Sequence, residues 1–365
     1  MRRKKFNVSA LLGWFARNAR DLPWRRRRDP YGVWVSEIML QQTQVKTVLP
    51  YWERWMEALP TIAALARMPL PKVHKLWEGL GYYRRADNLR RTAQLIMENH
   101  GGQFPHRYED VLALPGIGRY TAGAICSIAF NQPTPILDGN VIRVLTRWFG
   151  IEGPPRHGPT NAKLWSIAGE LVQEAGKEAS AFNQSLMELG ALCCTARQPQ
   201  CAACPIAKGC TARQQGRVTE LPNLGPRPPA TPRRFAAFVA CRGGRFLVRQ
   251  RPTGLVNGGL WEFPNVEVSL GVEHFEPIAS HALGVTHADL QPLCTIRHSI
   301  TRYRITLEVF RVALHSARKL PSLNLLRSDS APSLNPGQWL TLRHLRQLPF
   351  AAAHKKILQC MEAET

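Results

Sequence analysis

Apolar positions recur at helical spacing through residues 1–220, with breaks at Pro60, Pro69-Leu70-Pro71, Gly101-Gly102 and Pro133. That period predicts a domain built mostly of helices. One helix is expected over 29–45, with Asp29 as N-cap and Pro30 in its first turn. Between 222 and 232, five prolines in eleven residues exclude helix and predict a stiff, extended linker. Beyond it the period changes. Residues 235–240 and 245–249 read as strands around a Gly243-Gly244 turn, and 303–312 alternates as a strand does. The fold class expected is multidomain: an all-α domain over 1–221, a linker over 222–232 and an α+β domain over 233–365. No internal repeat is evident.

A chain of 365 residues suits two domains. Its charge changes the picture more. Lys and Arg number 48 against 26 Asp and Glu, a net +22 that points to a polyanion, most simply nucleic acid. A basic surface kept for solubility is the plainer alternative. No apolar run reaches the roughly 18–20 residues of a membrane span, so no membrane partner is expected. The basic start Met1-Arg2-Arg3-Lys4-Lys5 lacks the apolar stretch of a signal peptide. Of nine cysteines, five fall between 193 and 210, which suits a reducing compartment better than a disulfide scaffold.

Three constellations carry chemistry. Cys194-x6-Cys201-x2-Cys204-x5-Cys210 brings four thiolates from one compact loop, as a four-iron cluster requires. Zinc is the rival, although only one short Cys-x2-Cys pair is present, and unligated thiols are the third reading. Cys193, next to Cys194, is left out of the ligand set. Leu114-Pro115-Gly116-Ile117-Gly118 is a tight turn before an apolar helix. Gly116 and Gly118 let backbone approach a phosphate, and the helix beginning near Arg119 aims free amides at it. This is a helix-hairpin-helix pattern, which grips DNA without reading sequence; a plain helix–helix turn is its structural alternative. Third, Glu37 has Val33, Leu40 and Gln41 as helical neighbours. An acid in such apolar surroundings has a raised pKa and suits a general acid near neutral pH. A Glu that only forms a salt bridge or faces solvent is the alternative.

Taken together, these residues make the first 220 resemble the endonuclease-III-like superfamily of DNA glycosylases, and within it the adenine DNA glycosylases. The resemblance rests on 35–43, Gly79-Leu80-Gly81-Tyr82-Tyr83, 114–122, Leu137-Asp138-Gly139-Asn140-Val141 and the cysteine loop. The C-terminal part resembles that family's Nudix-like domain, anchored on 258–264. The resemblance implies removal of adenine mispaired with 8-oxoguanine or guanine in double-stranded DNA, after the nucleotide leaves the stack. Glu37 would protonate adenine N7 and activate water. Asp138 would stabilise or transiently attack the oxocarbenium-like sugar. Tyr120 and Asn140 would hold the reacting groups. In the superfamily's lyase branch a lysine stands where this chain has Tyr120, and tyrosine forms no Schiff base. A monofunctional glycosylase is therefore expected.

The same resemblance implies that Gln42 and Tyr82 enter or wedge the stack near the lesion, and that Arg20, Trp24, Arg25 and Leu40 line the adenine pocket. Arg26, Arg27, Arg28, Arg119 and Arg143 are expected at phosphate or solvent. Two departures stand out. Gln184 replaces an acid that the family often has near adenine. Ile300-Thr301-Arg302 aligns with the family's Phe-Ser-His turn, leaving Thr301 as the lesion contact with His298 and Ser299 as alternatives. The C-terminal domain lacks the Glu-rich box of a Nudix hydrolase, so pyrophosphate hydrolysis is not expected. A 4Fe-4S cluster is the expected cofactor, and a monomer the expected state. The expected compartment is the bacterial cytoplasm, at the nucleoid, or the nucleus or mitochondrion of a eukaryote. Two rival readings remain: a pyrimidine-specific glycosylase-lyase, and a catalytically silent DNA-binding redox sensor.

Overall fold

The computed structural model describes residues 5–26, 28–226, 228–252, 254–314 and 337–363. Arg27 and Arg227 therefore lie outside the described residues. The chain divides into two compact units, one made of Met1–Met68 with Asp87–Arg227, the other of Pro69–Ala86 with Pro228–Thr365.

The first unit is helical. In chain order its helices are α1 (Val8–Asn18), α2 (Pro23–Arg26), α3 (Pro30–Leu40), α4 (Val45–Ala58) and α5 (Ile62–Arg67). After α6 (Leu70–Trp77), which belongs to the second unit, come α7 (Arg84–Asn99), α8 (Tyr108–Leu112), α9 (Arg119–Phe130) and α10 (Gly139–Phe149). The series ends with α11 (Gly158–Ala175), α12 (Ala179–Leu192) and α13 (Thr211–Gln214). Helix α3 is mostly apolar and buried all round: every residue from Tyr31 to Met39, Ser36 and Glu37 included, is shielded as in a core helix. Asp29 caps it, accepting from the Gly32 amide at 2.8 Å, and Pro30 follows in its first turn. Helix α9 packs against it and against α12, and α12 packs in turn against α10.

The second unit is a sheet with helices on both faces. Its strands are β1 (Thr231–Arg242), β2 (Arg245–Gln250), β3 (Trp261–Glu262), β4 (Asn265–Val268), β5 (Asp289–Ile300), β6 (Tyr303–Ala313) and β7 (Gln338–Thr341). Its C-terminal helices are α14 (Glu276–Leu283), α15 (Leu342–Leu345) and α16 (Ala352–Ala363). The strand order is β3-β2-β1-β6-β5, with β4 on β1 and β7 on β2. Strand β1 runs parallel to β6, while the hairpin β5–β6 is antiparallel. Alternation along β1 sorts the core. Ala236, Phe238 and Ala240 join Phe275, Ala279 and Leu283 on one face; Ala237 and Val239 join Ile357, Leu358 and Met361 on the other.

Two boundaries differ from expectation. Strand β1 begins at Thr231, inside the proline-rich stretch, because Pro232 lies at the strand's start, where a missing amide is tolerated. Residues 69–86, from the helical half of the sequence, pack with the sheet. Trp77, Leu80 and Tyr83 are buried there.

Candidate active site

Glu37 lies two turns into α3, 5 % exposed. Tyr120, in the first turn of α9, donates its hydroxyl to Glu37 Oε2 at 2.6 Å and lies 3.5 Å from Met187 Sδ. Burial raises the Glu37 carboxyl to about 7 against the pull of the Tyr120 hydrogen bond. The Asp138 charge contributes to that rise, and Arg25 opposes it. The Tyr120 hydroxyl is itself pushed well up by burial, then by Glu37 and Asp138, so it stays protonated and donates. Asp138 is therefore near enough for its charge to act on both Glu37 and Tyr120.

Asp138 is the N-cap of α10. Its Oδ1 accepts from the Val141 amide at 2.7 Å and its Oδ2 from Asn140 Nδ2 at 2.8 Å. Burial raises its pKa; those donors, with the Arg143 charge, work the other way and favour the ion. Asn140 has its amide oriented from both sides, because its Oδ1 accepts from Arg143 at 2.8 Å. Arg143 continues to the Cys194 and Gly190 carbonyls, each at 2.7 Å. Two of its guanidinium nitrogens are thus engaged within the protein, while the third lies on the exposed side, 3.4 Å from the Gly139 carbonyl. The close approach of α10 to α12 needs Gly190, where a Cβ would sit 2.6 Å from that of Asn140.

The hairpin is formed as its glycines suggest. Gly116 has φ +77°, and a Cβ there would meet Asn88 at 2.6 Å. Gly118 caps α9 with no side-chain bond, which leaves the α9 amides to a ligand. Arg119 does not extend from this end: it lies over the Trp165 ring at 4.0 Å.

Of the expected pocket residues, Trp24 is buried edge-on to Trp52, and Leu40 ends α3. Arg20 and Arg25 converge on Glu188, a wholly buried carboxylate on α12. Arg20 Nε and NH2 and Arg25 NH2 each donate at 2.8 Å, and the Arg20 amide adds a fourth bond at 2.9 Å. Burial would raise Glu188, but the two arginines outweigh it and hold the carboxyl down at about 2. Gln184, Met187 and Glu188 share one face of α12 at helical spacing. The Gln184 amide donates to Ser180, one turn back on its own helix. Sequence reasoning missed Glu188 and Met187; an acid between the apolar Leu186 and Leu189 was the available signal.

Among the described residues, non-glycine residues in the left-handed region are Gln42, Tyr82, Asn131, Asn257 and Thr301. Three of these were singled out as DNA contacts. Gln42 (φ 58°) follows α3, Tyr82 (φ 48°) is 47 % exposed after α6, and Thr301 (φ 52°) forms the β5–β6 turn. Strain of this kind concentrates at functional positions.

Cys194 follows α12, and Cys210 precedes α13. The thiols of Cys194, Cys201, Cys204 and Cys210 lie within reach of one another's charge. Arg147, 2 % exposed, donates to the Thr195 carbonyl at 2.7 Å and reaches Cys194 Sγ at 3.4 Å. A cation at a ligand sulfur favours the thiolate that iron needs. Among the described residues no three His, Cys, Asp or Glu close on a point as a single ion requires. Four thiols in one compact loop, backed by an arginine, fit an iron–sulfur cluster. Cys193 also lies among these thiols, beside Cys204, and donates to the Gln200 carbonyl at 3.3 Å.

Comparison with known proteins agrees with this geometry. Residues 35–170 match the HhH-GPD superfamily of base excision DNA repair proteins. Residues 194–210 match the iron–sulfur binding domain of endonuclease III, and 236–360 the NUDIX domain. An adenine DNA glycosylase from Rattus norvegicus is 35 % identical over 96 % of this chain and 77 % of its own length. The chain belongs to the adenine DNA glycosylase family. The Homo sapiens member is 34 % identical over 97 % of this chain and 74 % of its own length. A solved thermostable thymine-DNA glycosylase superposes with TM-score 0.53 at 30 % identity, over 57 % of this chain and 95 % of that one.

As a member of this family the chain is an enzyme, a DNA glycosylase of base excision repair whose substrate is DNA. Its cofactor is a 4Fe-4S cluster in the loop after α12. Its second fold is Nudix-like.

Proposed function

We propose that the enzyme excises adenine paired with 8-oxoguanine or guanine in duplex DNA and leaves the strand unbroken. The observation that carries this reading is the Tyr120–Glu37 hydrogen bond beside Asp138. One carboxyl is held protonated near neutrality, and the other is surrounded by donors that favour its anion. Glu37 gives its proton to N7 of an extruded adenine, and the N-glycosidic electron pair leaves with the base. Asp138 faces the resulting sugar cation and stabilises or briefly captures it. Glu37, now ionised, takes a proton from the attacking water and is restored. Tyr120 keeps Glu37 in place, and Asn140 keeps Asp138 in place.

The remaining assignments follow the same reading. Cys194, Cys201, Cys204 and Cys210 ligate the cluster, whose role here is to order the loop behind α10. Gly116 and Gly118 hold a phosphate. Trp24 and Leu40 wall the base pocket, with Arg20, Arg25 and Gln184 on its polar side. Gln42 and Tyr82 act at the stack and Thr301 at the lesion. The protein acts as a monomer, with the glycosylase chemistry in 1–221 and lesion recognition in 233–365.

Single-turnover assays on duplexes holding A opposite 8-oxoguanine, A opposite G, T opposite G and an oxidised pyrimidine test the proposal. Adenine release from the first two without strand cleavage is expected. Release of thymine or a pyrimidine instead, or efficient trapping of a covalent complex by borohydride, would overturn it. The pH dependence is a second expectation. Because Glu37 must be protonated and titrates at about 7, the rate should fall about tenfold per pH unit above that value. A profile flat from pH 6 to 9 would remove Glu37 as the acid.

A further inference from the structure

Glu78 caps α6 and is buried, yet it plays no part in the chemistry described above. Its Oε2 accepts from Lys75 Nζ at 3.0 Å and from Lys355 Nζ at 2.7 Å. Its Oε1 accepts from the Phe350 amide at 3.1 Å. Lys75 also reaches the Leu348 carbonyl at 3.0 Å. Burial would raise the Glu78 carboxyl; Lys355, the Phe350 amide and Lys75 outweigh it and bring it below its ordinary value. The anion is thus held by donors from α6, from α16 and from the segment before α16.

This cluster lies at the base of the turn that carries Tyr82. Tyr83, 5 % exposed, meets His74 edge-on, and its hydroxyl points to the Phe350 carbonyl at 3.4 Å. Trp77 Nε1 and Arg85 NH2 both donate to the Gly81 carbonyl, at 2.9 and 3.0 Å. The Arg85 guanidinium lies between the Trp77 and Tyr82 rings, 5.1 and 5.7 Å from their centroids. Neighbouring tyrosines therefore face opposite ways: Tyr83 is fastened to the residues around Phe350, and Tyr82 is presented outward in a left-handed conformation. All of these residues belong to one compact unit with the sheet.

We propose that Glu78 is a positioning residue for base extrusion: through Lys355 and Phe350 the sheet domain holds the 78–83 turn so that Tyr82 is set to enter the duplex. This rests on the reading of Tyr82 as a residue that enters the stack. A tyrosine on a loose turn must be ordered at the moment of insertion, and that cost weakens the extruded state. An anchored one is already in place. The chemical step itself needs nothing from Glu78.

The test is a double-mutant cycle with Tyr82→Ala. Two signals are read on a duplex carrying A opposite 8-oxoguanine: the unstacking fluorescence of a neighbouring 2-aminopurine, and the single-turnover excision rate. Lys355→Met removes the α16 partner from a partly exposed position, and Glu78→Gln keeps shape while removing charge. Each should lower both signals about tenfold when Tyr82 is present and leave them unchanged when it is absent. Lys355→Arg should restore them. Equal losses with and without Tyr82 would overturn the proposal while leaving the Tyr82 reading intact. No loss from Tyr82→Ala alone would overturn both.

Discussion

A Glu37→Gln enzyme is expected to lose about a thousandfold or more of its excision rate and, above pH 7, to be more stable than its parent. The first effect follows from removing the only carboxyl in the Tyr120 hydrogen bond. The second follows from the same burial that makes Glu37 an acid. Its ordinary value of 4.5 becomes about 7 in the fold, so between those values the folded protein holds a proton that the unfolded chain releases. Folding stability is therefore lost as pH rises through that window, by an amount on the order of 3 kcal/mol at its end. Glutamine carries no charge and escapes this penalty. Denaturant titrations at pH 4 and pH 8 check it: the variant should gain about 3 kcal/mol at pH 8 and almost nothing at pH 4. An equal gain at both would mean that the carboxyl is not held protonated.

The opposite outcome is expected at Glu188. Replacing it with alanine leaves Arg20 and Arg25 facing each other across a buried site with no anion between them. Breaking one side of a buried ion pair costs about 3–5 kcal/mol; Arg20, which is partly exposed, moves the expectation to the lower end of that range. The Glu188 carboxyl lies at about 2 in the fold against an ordinary 4.5. Its contribution is complete above the ordinary value and disappears as pH falls toward 2. The deficit of Glu188→Ala should thus be full at pH 7 and shrink steadily below pH 4.5. Glu188→Gln should show a smaller deficit. Arg25 also bears on Glu37, so loss of the balancing anion should move the alkaline limb of the excision profile to lower pH. An unshifted limb would mean that Arg25 does not act on the acid.

What was legible in the chain was local. The Asp29 cap, the Gly116–Gly118 turn, the cysteine loop and the strands around Gly243-Gly244 each depend on neighbours a few residues apart, and each is present. The arginine clamp was not legible, because Arg20 and Glu188 stand 168 positions apart and nothing near either announces the other. The packing of 69–86 with the sheet was hidden for the same reason: Glu78 meets Lys355 across 277 positions. The internal partners of Arg143 were hidden as well, because the carbonyls that receive it come from a helix end and a loop far along the chain. The cap at Asp138 lay within reach of sequence reasoning, since an aspartate before Gly139-Asn140-Val141 begins a helix. Its double use as cap and carboxylate required the fold.

Gln42, Tyr82 and Thr301 have a consequence for how this enzyme can be improved. Each occupies backbone that glycine would adopt without strain, and β-branched Thr301 suffers most. A search for greater thermal resistance alone would be drawn to glycine at these places. The chains it returned would be sturdier and blind, having surrendered the side chains that we assign to meeting DNA. Screening for durability and for repair at once is the only selection that keeps all three.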